Sequence, residues 1–161
     1  MAIETGQRLP GAVMLAMGDK GPEPVDLGER LKGRKVVVFG LPGAFTGTCS
    51  TLHLPSFVRT AERFRAKGVD EIICVAVNDP FTLKAWGEAT GAAAAGITLL
   101  GDSDGAFTRA LDMAFDAPAI GLHGRSRRYA AVVEDGVVTH LRIDRPGECS
   151  ISTGEALLEA V

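Results

Sequence analysis

The sequence has no pair of cysteines at C-x-x-C spacing; its three, Cys49, Cys74 and Cys149, stand far apart. That excludes a zinc knuckle and a dithiol oxidoreductase centre, and an odd count argues against a structural disulfide framework. There is no basic excess either. Seventeen Lys and Arg stand against 20 Asp and Glu, a net charge of -3, which is not the balance of a dedicated nucleic-acid binder. Nor is there an acidic block of the kind that stays disordered. No run approaches the roughly 20 apolar residues that span a bilayer. Residues 1–10 carry Glu4 and no apolar segment, so they read neither as a secretory signal nor as a mitochondrial presequence. The expectation is a cytoplasmic protein with no membrane and no nucleic acid among its partners. Internal repeats are absent, and only the alanine cluster at 92–95 has low complexity.

What is present suits one domain spanning residues 1–161, since 46% of the residues are hydrophobic and can supply a core. The opening is turn-rich, and residues around Leu15, Ala16 and Met17 suit a short hairpin extension. Residues 35–40, Lys-Val-Val-Val-Phe-Gly, form a β-branched apolar run between glycines and predict a buried strand. A loop follows to Thr48. Residues 49–67 then carry apolar positions at three- and four-residue spacing and predict a helix closed by Gly68, kinked near its second turn by Pro55. Residues 72–77 predict a second buried strand, parallel to the first. Asp79 and Pro80 cap and open a helix to about Thr90. Short elements follow: a strand at 97–100, a helix at 104–111, strands at 129–133 and 137–143 around Asp135-Gly136, and a helix at 153–160. The fold class is α/β: a three-layer sandwich with a mixed central β-sheet flanked by helices, the pattern found at the centre of a thioredoxin-like domain.

The loop after the first predicted strand reads Pro42-Gly-Ala-Phe45-Thr46-Gly47-Thr-Cys49-Ser. It puts a cysteine where a helix begins. The first helical turn has unpaired N–H groups and the positive end of the helix dipole, both of which favour a thiolate. Thr46 can reach back to the sulfur or donate to a bound peroxide oxygen, and Pro42 offers a rigid wall with no competing N–H. On this alone, an inert core thiol and a reactive thiolate both fit.

The same segment resembles the active-site loop of the peroxiredoxins, whose defining pattern is Pro-x-x-x-Thr-x-x-Cys. The wording through His53, Pro55 and Phe57 is similar to the type-five, or type II, branch. The resemblance continues through Lys67 to Asp70, Val77 to Phe81, Trp86, Leu100 to Asp102, Gly105 to Phe107, Arg128 to Ala130 and Val132 to Gly136, essentially the whole chain. It implies a thiol peroxidase that converts hydrogen peroxide or an organic hydroperoxide to water or alcohol with no haem, metal or flavin cofactor. In that resemblance Cys49 is the peroxidatic residue that becomes a sulfenic acid. Thr46 bridges sulfur and peroxide, Pro42 shields the sulfenic acid, and an arginine from a distant strand stabilises the thiolate. Arg128, seven residues before Asp135, has the spacing the family prefers. Strand alternation sets it on the face opposite Arg127, and Arg125 and Arg127 then read as a solvated basic turn.

Many members of this branch carry proline where this chain has Gly47. Resolution of the sulfenic acid is left open by the sequence. Cys149, in a loop near the C-terminus, roughly matches the resolving cysteine of some members. Cys74 resembles a second cysteine of many members but lies in a predicted core strand. Otherwise an external thiol regenerates the enzyme, either glutathione with glutaredoxin or thioredoxin directly. His53, one turn after Cys49, is expected to support the site by hydrogen bonding or packing rather than to bind metal. Phe45, Phe81 and Trp86 belong to the core or to an interface, and a homodimer is implied by the resemblance. The competing reading is a peroxide sensor or redox relay that uses Cys49 without turnover. A nucleotide-binding α/β domain is disfavoured, because no G-x-G-x-x-G or P-loop follows the first predicted strand.

Overall fold

The computed structural model describes residues 2–161, with Cys49 described by its backbone alone. A seven-stranded mixed sheet runs through the middle. Its strands are β1 (Val13–Gly18), β2 (Gly21–Asp26), β3 (Lys35–Gly40), β4 (Glu71–Ala76), β5 (Thr98–Gly101), β8 (Tyr129–Glu134) and β9 (Val137–Ile143), in the order β2-β1-β5-β4-β3-β8-β9. A separate hairpin pairs β6 (Ala114–Ala117) with β7 (Leu122–Ser126). The helices are α1 (Leu27–Leu31), α2 (Leu54–Ala66), α3 (Pro80–Thr90), α4 (Ala106–Ala110) and α5 (Gly154–Ala160). This is the thioredoxin-like three-layer arrangement the sequence predicts, with the N-terminal hairpin formed by β1 and β2. Helix α1 and the β6–β7 hairpin were not predicted.

The central strands bury both faces, which is why they read as unbroken apolar runs. Alternation splits them cleanly. Val37, Phe39, Ile72, Cys74, Ala130 and Val132 face one core, with Phe57, Phe64, Trp86 and Leu157 from the helices above. Val36, Val38, Ile73, Val75, Ala131 and Val133 face the other, with Leu27, Leu31, Phe107 and Met113. β3 pairs parallel with β4 and antiparallel with β8, so Gly40 stands opposite Tyr129. That pairing brings the exit of β3 and the entrance of β8 side by side. At the far end of the β8–β9 hairpin, Asp135 and Gly136 take φ of +49° and +79°. These are the two left-handed positions of the tight turn expected from an Asp-Gly pair.

The predicted helix from residue 49 is resolved into two pieces. Helical backbone starts at Gly47, passes through a π-helical turn, Cys49–His53, and continues as α2. Pro55 explains the change of pitch. It has no N–H for the residue four back, so the turn before it opens instead of kinking further on. Side chains cover the loosened carbonyls: Thr51 Oγ1 donates to the Gly47 carbonyl at 2.9 Å, and Ser56 Oγ donates to that of His53 at 2.6 Å. Phe57 stacks on Phe39 with ring centroids 4.0 Å apart, and fully burying a ring of this size stabilises by roughly 1.5–3 kcal/mol. This stack fixes the π turn over the exit of β3.

Candidate active site

The loop between β3 and the π turn is held at three points. The Ala44 N–H donates to Asn78 Oδ1 at 2.9 Å. Arg125 Nη1 donates to the Pro42 carbonyl at 3.0 Å. Thr46 Oγ1 donates to the Gly43 carbonyl at 2.7 Å. These anchors hold a backbone that local preference disfavours. Phe45 sits at φ +60° with its ring exposed, a conformation that costs a side chain of this size about 1–2 kcal/mol. Gly43 sits at φ +151°, and a Cβ there would stand 2.3 Å from Arg125 Nη1, so only glycine lets the guanidinium close over the loop.

Thr46 therefore differs from its expected role as donor to sulfur or peroxide. A carbonyl can only accept, so the hydroxyl proton is committed to Gly43. What remains available on Thr46 are oxygen lone pairs. Gly47 opens the helix in open space, with nothing within 4 Å of where a Cβ would stand.

The sulfur of Cys49 lies outside the described residues. Its backbone opens the π turn, within the first turn of the helix that starts at Gly47, where N–H groups are unpaired and the dipole is positive. The flanking residues are firmly held. The Ser50 N–H donates to the Thr46 carbonyl at 3.0 Å. Trp86 Nε1 donates to Ser50 Oγ at 2.9 Å, which ties α3 to the residue after the cysteine.

His53 is fully buried between the rings of Phe39 and Phe57, with centroids 5.3 and 5.7 Å away. Its Nε2 donates to the Ser152 carbonyl at 3.0 Å, which fixes the tautomer, while Nδ1 is buried with no hydrogen-bond partner among the described residues. Burial pushes its pKa down to about 4, with the charge of Arg128 adding to the shift and the Ser152 bond opposing it. His53 is thus a neutral packing element.

Arg128 lies just before Tyr129, at the entrance of β8. It lines a crevice with Pro42, and its charge contributes to the lowered pKa of His53. Arg127 lines the same crevice, contrary to the expectation that alternation turns it away. Residues 127 and 128 fall in the step between β7 and β8, where the Arg127 N–H donates to the Met113 carbonyl at 2.8 Å, so no strand alternation runs through them. Arg125 also departs from expectation. It is a brace on the Pro42 carbonyl rather than part of a solvated turn.

Asp144 is a buried hub beside these residues. Its N–H donates to the Arg128 carbonyl at 3.0 Å. Its carboxylate accepts from the Ser150, Ile151 and Ser152 N–H groups at 3.0, 3.2 and 3.0 Å, and from the Ser150 and Ser152 hydroxyls. Burial alone would raise its pKa, but these donors outweigh it and hold the carboxyl below its ordinary value. Cys149 is half-buried in the loop that Asp144 pins. Cys74 is buried in β4 opposite Phe39, within the core under α2. Among the described residues no group of three or more His, Cys, Asp or Glu is placed to hold a metal ion.

Asn78 and Asp144 were not singled out from sequence, and Arg125 was read there only as part of a solvated turn. Asn78 carried the one usable signal, since it follows a strand parallel to β3 at its carboxyl end, where α/β sheets place their ligand-contacting residues.

The redoxin family model matches residues 4–158. The chain is 42% identical over 163 residues to the chloroplastic peroxiredoxin-2E-2 of Oryza sativa, covering 99% of this chain and 72% of that relative. It is 43% identical over 129 residues to peroxiredoxin-2B of Arabidopsis thaliana, covering 80% and 79%. Among solved structures, reduced Prx3 of Vibrio vulnificus in complex with hydrogen peroxide matches with a TM-score of 0.91 at 43% identity, over 98% of both chains.

Proposed function

The chain belongs to the redoxin family as a peroxiredoxin, a thiol peroxidase, and on that premise we propose that Cys49 is its peroxidatic residue, served by Thr46, Pro42 and Arg128. The thiolate attacks the terminal oxygen of the hydroperoxide. The S–O bond forms as the O–O bond breaks, the attacked oxygen keeps its proton, and the departing alkoxide or hydroxide takes a proton from solvent and leaves as alcohol or water. Sulfur gives up two electrons and becomes a sulfenic acid.

The helix start favours the ionised sulfur. The guanidinium of Arg128 favours the thiolate and offers several donors to the oxygens as negative charge moves from one to the other. Thr46 acts as acceptor. With its proton on Gly43, its oxygen takes the peroxide O–H and sets the O–O axis in line with the sulfur. Pro42 walls the pocket without adding a donor. The observation that carries this reading is that Arg128 lines one crevice with Pro42, the residue that begins the loop leading to Cys49.

Regeneration comes from thiols. Glutathione with glutaredoxin, or thioredoxin, reduces the sulfenic acid, with Cys149 as a candidate first relay in its pinned loop. The exposed rings of Phe45 and Phe81 favour assembly of two copies through this side of the molecule. The test is steady-state turnover of hydrogen peroxide with each donor system, run on the wild type and on Cys49→Ser, Arg128→Met and Cys149→Ser. Sustained turnover that Cys49→Ser abolishes and Arg128→Met lowers at least a hundredfold supports the reading. Oxidation of Cys49 with no turnover under any donor favours a peroxide sensor instead.

A further inference from the structure

Gly43 is the point at which the loop before Cys49 turns most freely, because a residue without Cβ restricts neither of its torsions. Both peptide planes that flank it are nevertheless gripped from outside the loop. The Pro42 carbonyl, on the plane before Gly43, accepts from Arg125 Nη1 at 3.0 Å. The Ala44 N–H, on the plane after it, donates to Asn78 Oδ1 at 2.9 Å. The two grips meet across Gly43 itself, where a Cβ would stand 2.3 Å from Arg125 Nη1 and 3.2 Å from Asn78 Oδ1. The Gly43 carbonyl belongs to the second plane. In a trans peptide the C=O and the N–H point opposite ways, so a plane held by Asn78 at its N–H presents its oxygen on the far side. That oxygen accepts the Thr46 hydroxyl proton at 2.7 Å. One hydrogen bond holds a plane at a single point and leaves it free to pivot. The second hold reaches it through Gly43, from the plane that Arg125 grips. Arg125 comes from β7, where it pairs with Phe115, and Asn78 is steadied in turn by Ser103 Oγ, which donates to its carbonyl at 2.9 Å. Pro42, Gly43 and Ala44 are buried, so polar groups released there do not simply turn to water.

We propose that Arg125 is a positioning residue for the peroxide step: by gripping the Pro42–Gly43 peptide it keeps the Gly43 carbonyl on the Thr46 hydroxyl, and so keeps the Thr46 lone pairs aimed at the peroxide O–H. The proposal rests on Cys49 and Thr46 having the roles given above. Arg125 touches no reacting atom in this assignment, and it acts through Thr46 rather than on the sulfur. Without the grip the Gly43 peptide pivots, and the Thr46 proton is no longer committed to the carbonyl. A peroxide that meets a donor where it needs an acceptor is turned out of line with the sulfur, and misalignment on this scale costs up to about a hundredfold in rate.

Two reactions of Cys49 separate aim from ionisation. Alkylation by iodoacetamide needs the thiolate and no oriented O–O bond, whereas oxidation by hydrogen peroxide needs both. Both rates are measured at Cys49 by peptide mass spectrometry across pH in wild type, Arg125→Met, Arg125→Lys, Thr46→Val and the Arg125→Met/Thr46→Val pair, with thermal unfolding recorded for each. Arg125→Met should slow oxidation by about tenfold to a hundredfold. Its alkylation rate and the pH midpoint of that rate should stay within about twofold of wild type. Arg125→Lys, which can still donate to the Pro42 carbonyl, should recover part of the oxidation rate. In the Thr46→Val background, Arg125→Met should cost less than about twofold, because the group it aims is gone. If Arg125→Met does not fold, the same cycle is read with Arg125→Lys. Unchanged oxidation in the Arg125 variants overturns the proposal. A parallel loss in alkylation also overturns it, since Arg125 would then act through its charge on the sulfur or through the fold at large. Losses that multiply in full in the paired variant overturn the route through Thr46. A wild-type Cys49 that hydrogen peroxide does not oxidise would instead defeat the underlying reading of the cysteine.

Discussion

His53 makes the fold sensitive to acid well above the range where carboxylates titrate. Its pKa falls from an ordinary 6.5 to about 4, chiefly because the ring is buried between Phe39 and Phe57. A depressed histidine pKa means that the unfolded chain takes up the proton first. The stability from keeping the ring neutral is complete above pH 6.5 and is lost progressively as pH falls toward 4. The gap corresponds to about 3 kcal/mol, with a slope approaching 1.4 kcal/mol per pH unit in the steep part. That is a large share of the roughly 5–15 kcal/mol that stabilises a domain. His53→Gln isolates this contribution, because glutamine can still donate to the Ser152 carbonyl but does not titrate near neutrality. Urea unfolding at pH 7.0, 6.0 and 5.0, followed by fluorescence of the buried Trp86, the only tryptophan, gives the free energies. The wild type should lose between 1 and 2 kcal/mol more than His53→Gln from pH 7 to pH 5, about what the slope delivers over that span. Parallel pH dependence in the two proteins would refute the assignment of a buried neutral imidazole.

Three further outcomes follow from the loop and the sheet. Gly47→Pro should keep peroxidase activity and gain up to about 1 kcal/mol of stability, because the residue opens a helix in open space; activity assay and urea titration check both. Asn78→Ala should leave the Ala44 N–H without its acceptor, costing about 1–3 kcal/mol and slowing oxidation of Cys49 by peroxide, measured by stopped-flow. Glu71→Gln should separate stability from chemistry. It breaks bonds from Arg30 and Arg34 at the start of β4, roughly 20 Å along the strand from Asn78, so thermal stability should fall while the rate of peroxide reduction stays the same.

Most of the fold was legible because its signals are local. The runs at 35–40 and 72–77 could only be strands buried on both faces, and Asp79-Pro80 and Asp135-Gly136 carry the caps and turns that bound their neighbours. Helix α1 and the β6–β7 hairpin went unseen, for they are short, and residues 114–126 mix polar residues with glycines and take their place from tertiary contact. The π turn was a near miss: Pro55 announced a disturbance, but proline chemistry does not say which carbonyl will be covered by Thr51. The site was legible in its chemistry and not in its support. Pro42, Thr46, Cys49 and Arg128 form a pattern that spacing preserves. The bracing by Asn78, Arg125 and Asp144 depends on chain segments that meet only in the fold. The Thr46 proton could not be placed from sequence, because its partner is a backbone carbonyl three residues away that only the left-handed step at Phe45 brings within reach.

The central claim is that one thiol, held ionised at the helix start, reacts with peroxide far faster than an ordinary cysteine. Mixing reduced protein with equimolar hydrogen peroxide, following Trp86 fluorescence, and locating the added oxygen by peptide mass spectrometry tests this directly. The account predicts a single fast phase, at least a thousandfold faster than a free thiol, with one oxygen equivalent on Cys49 and none first on Cys74 or Cys149. A slow reaction, or oxidation spread over the three cysteines, would contradict it.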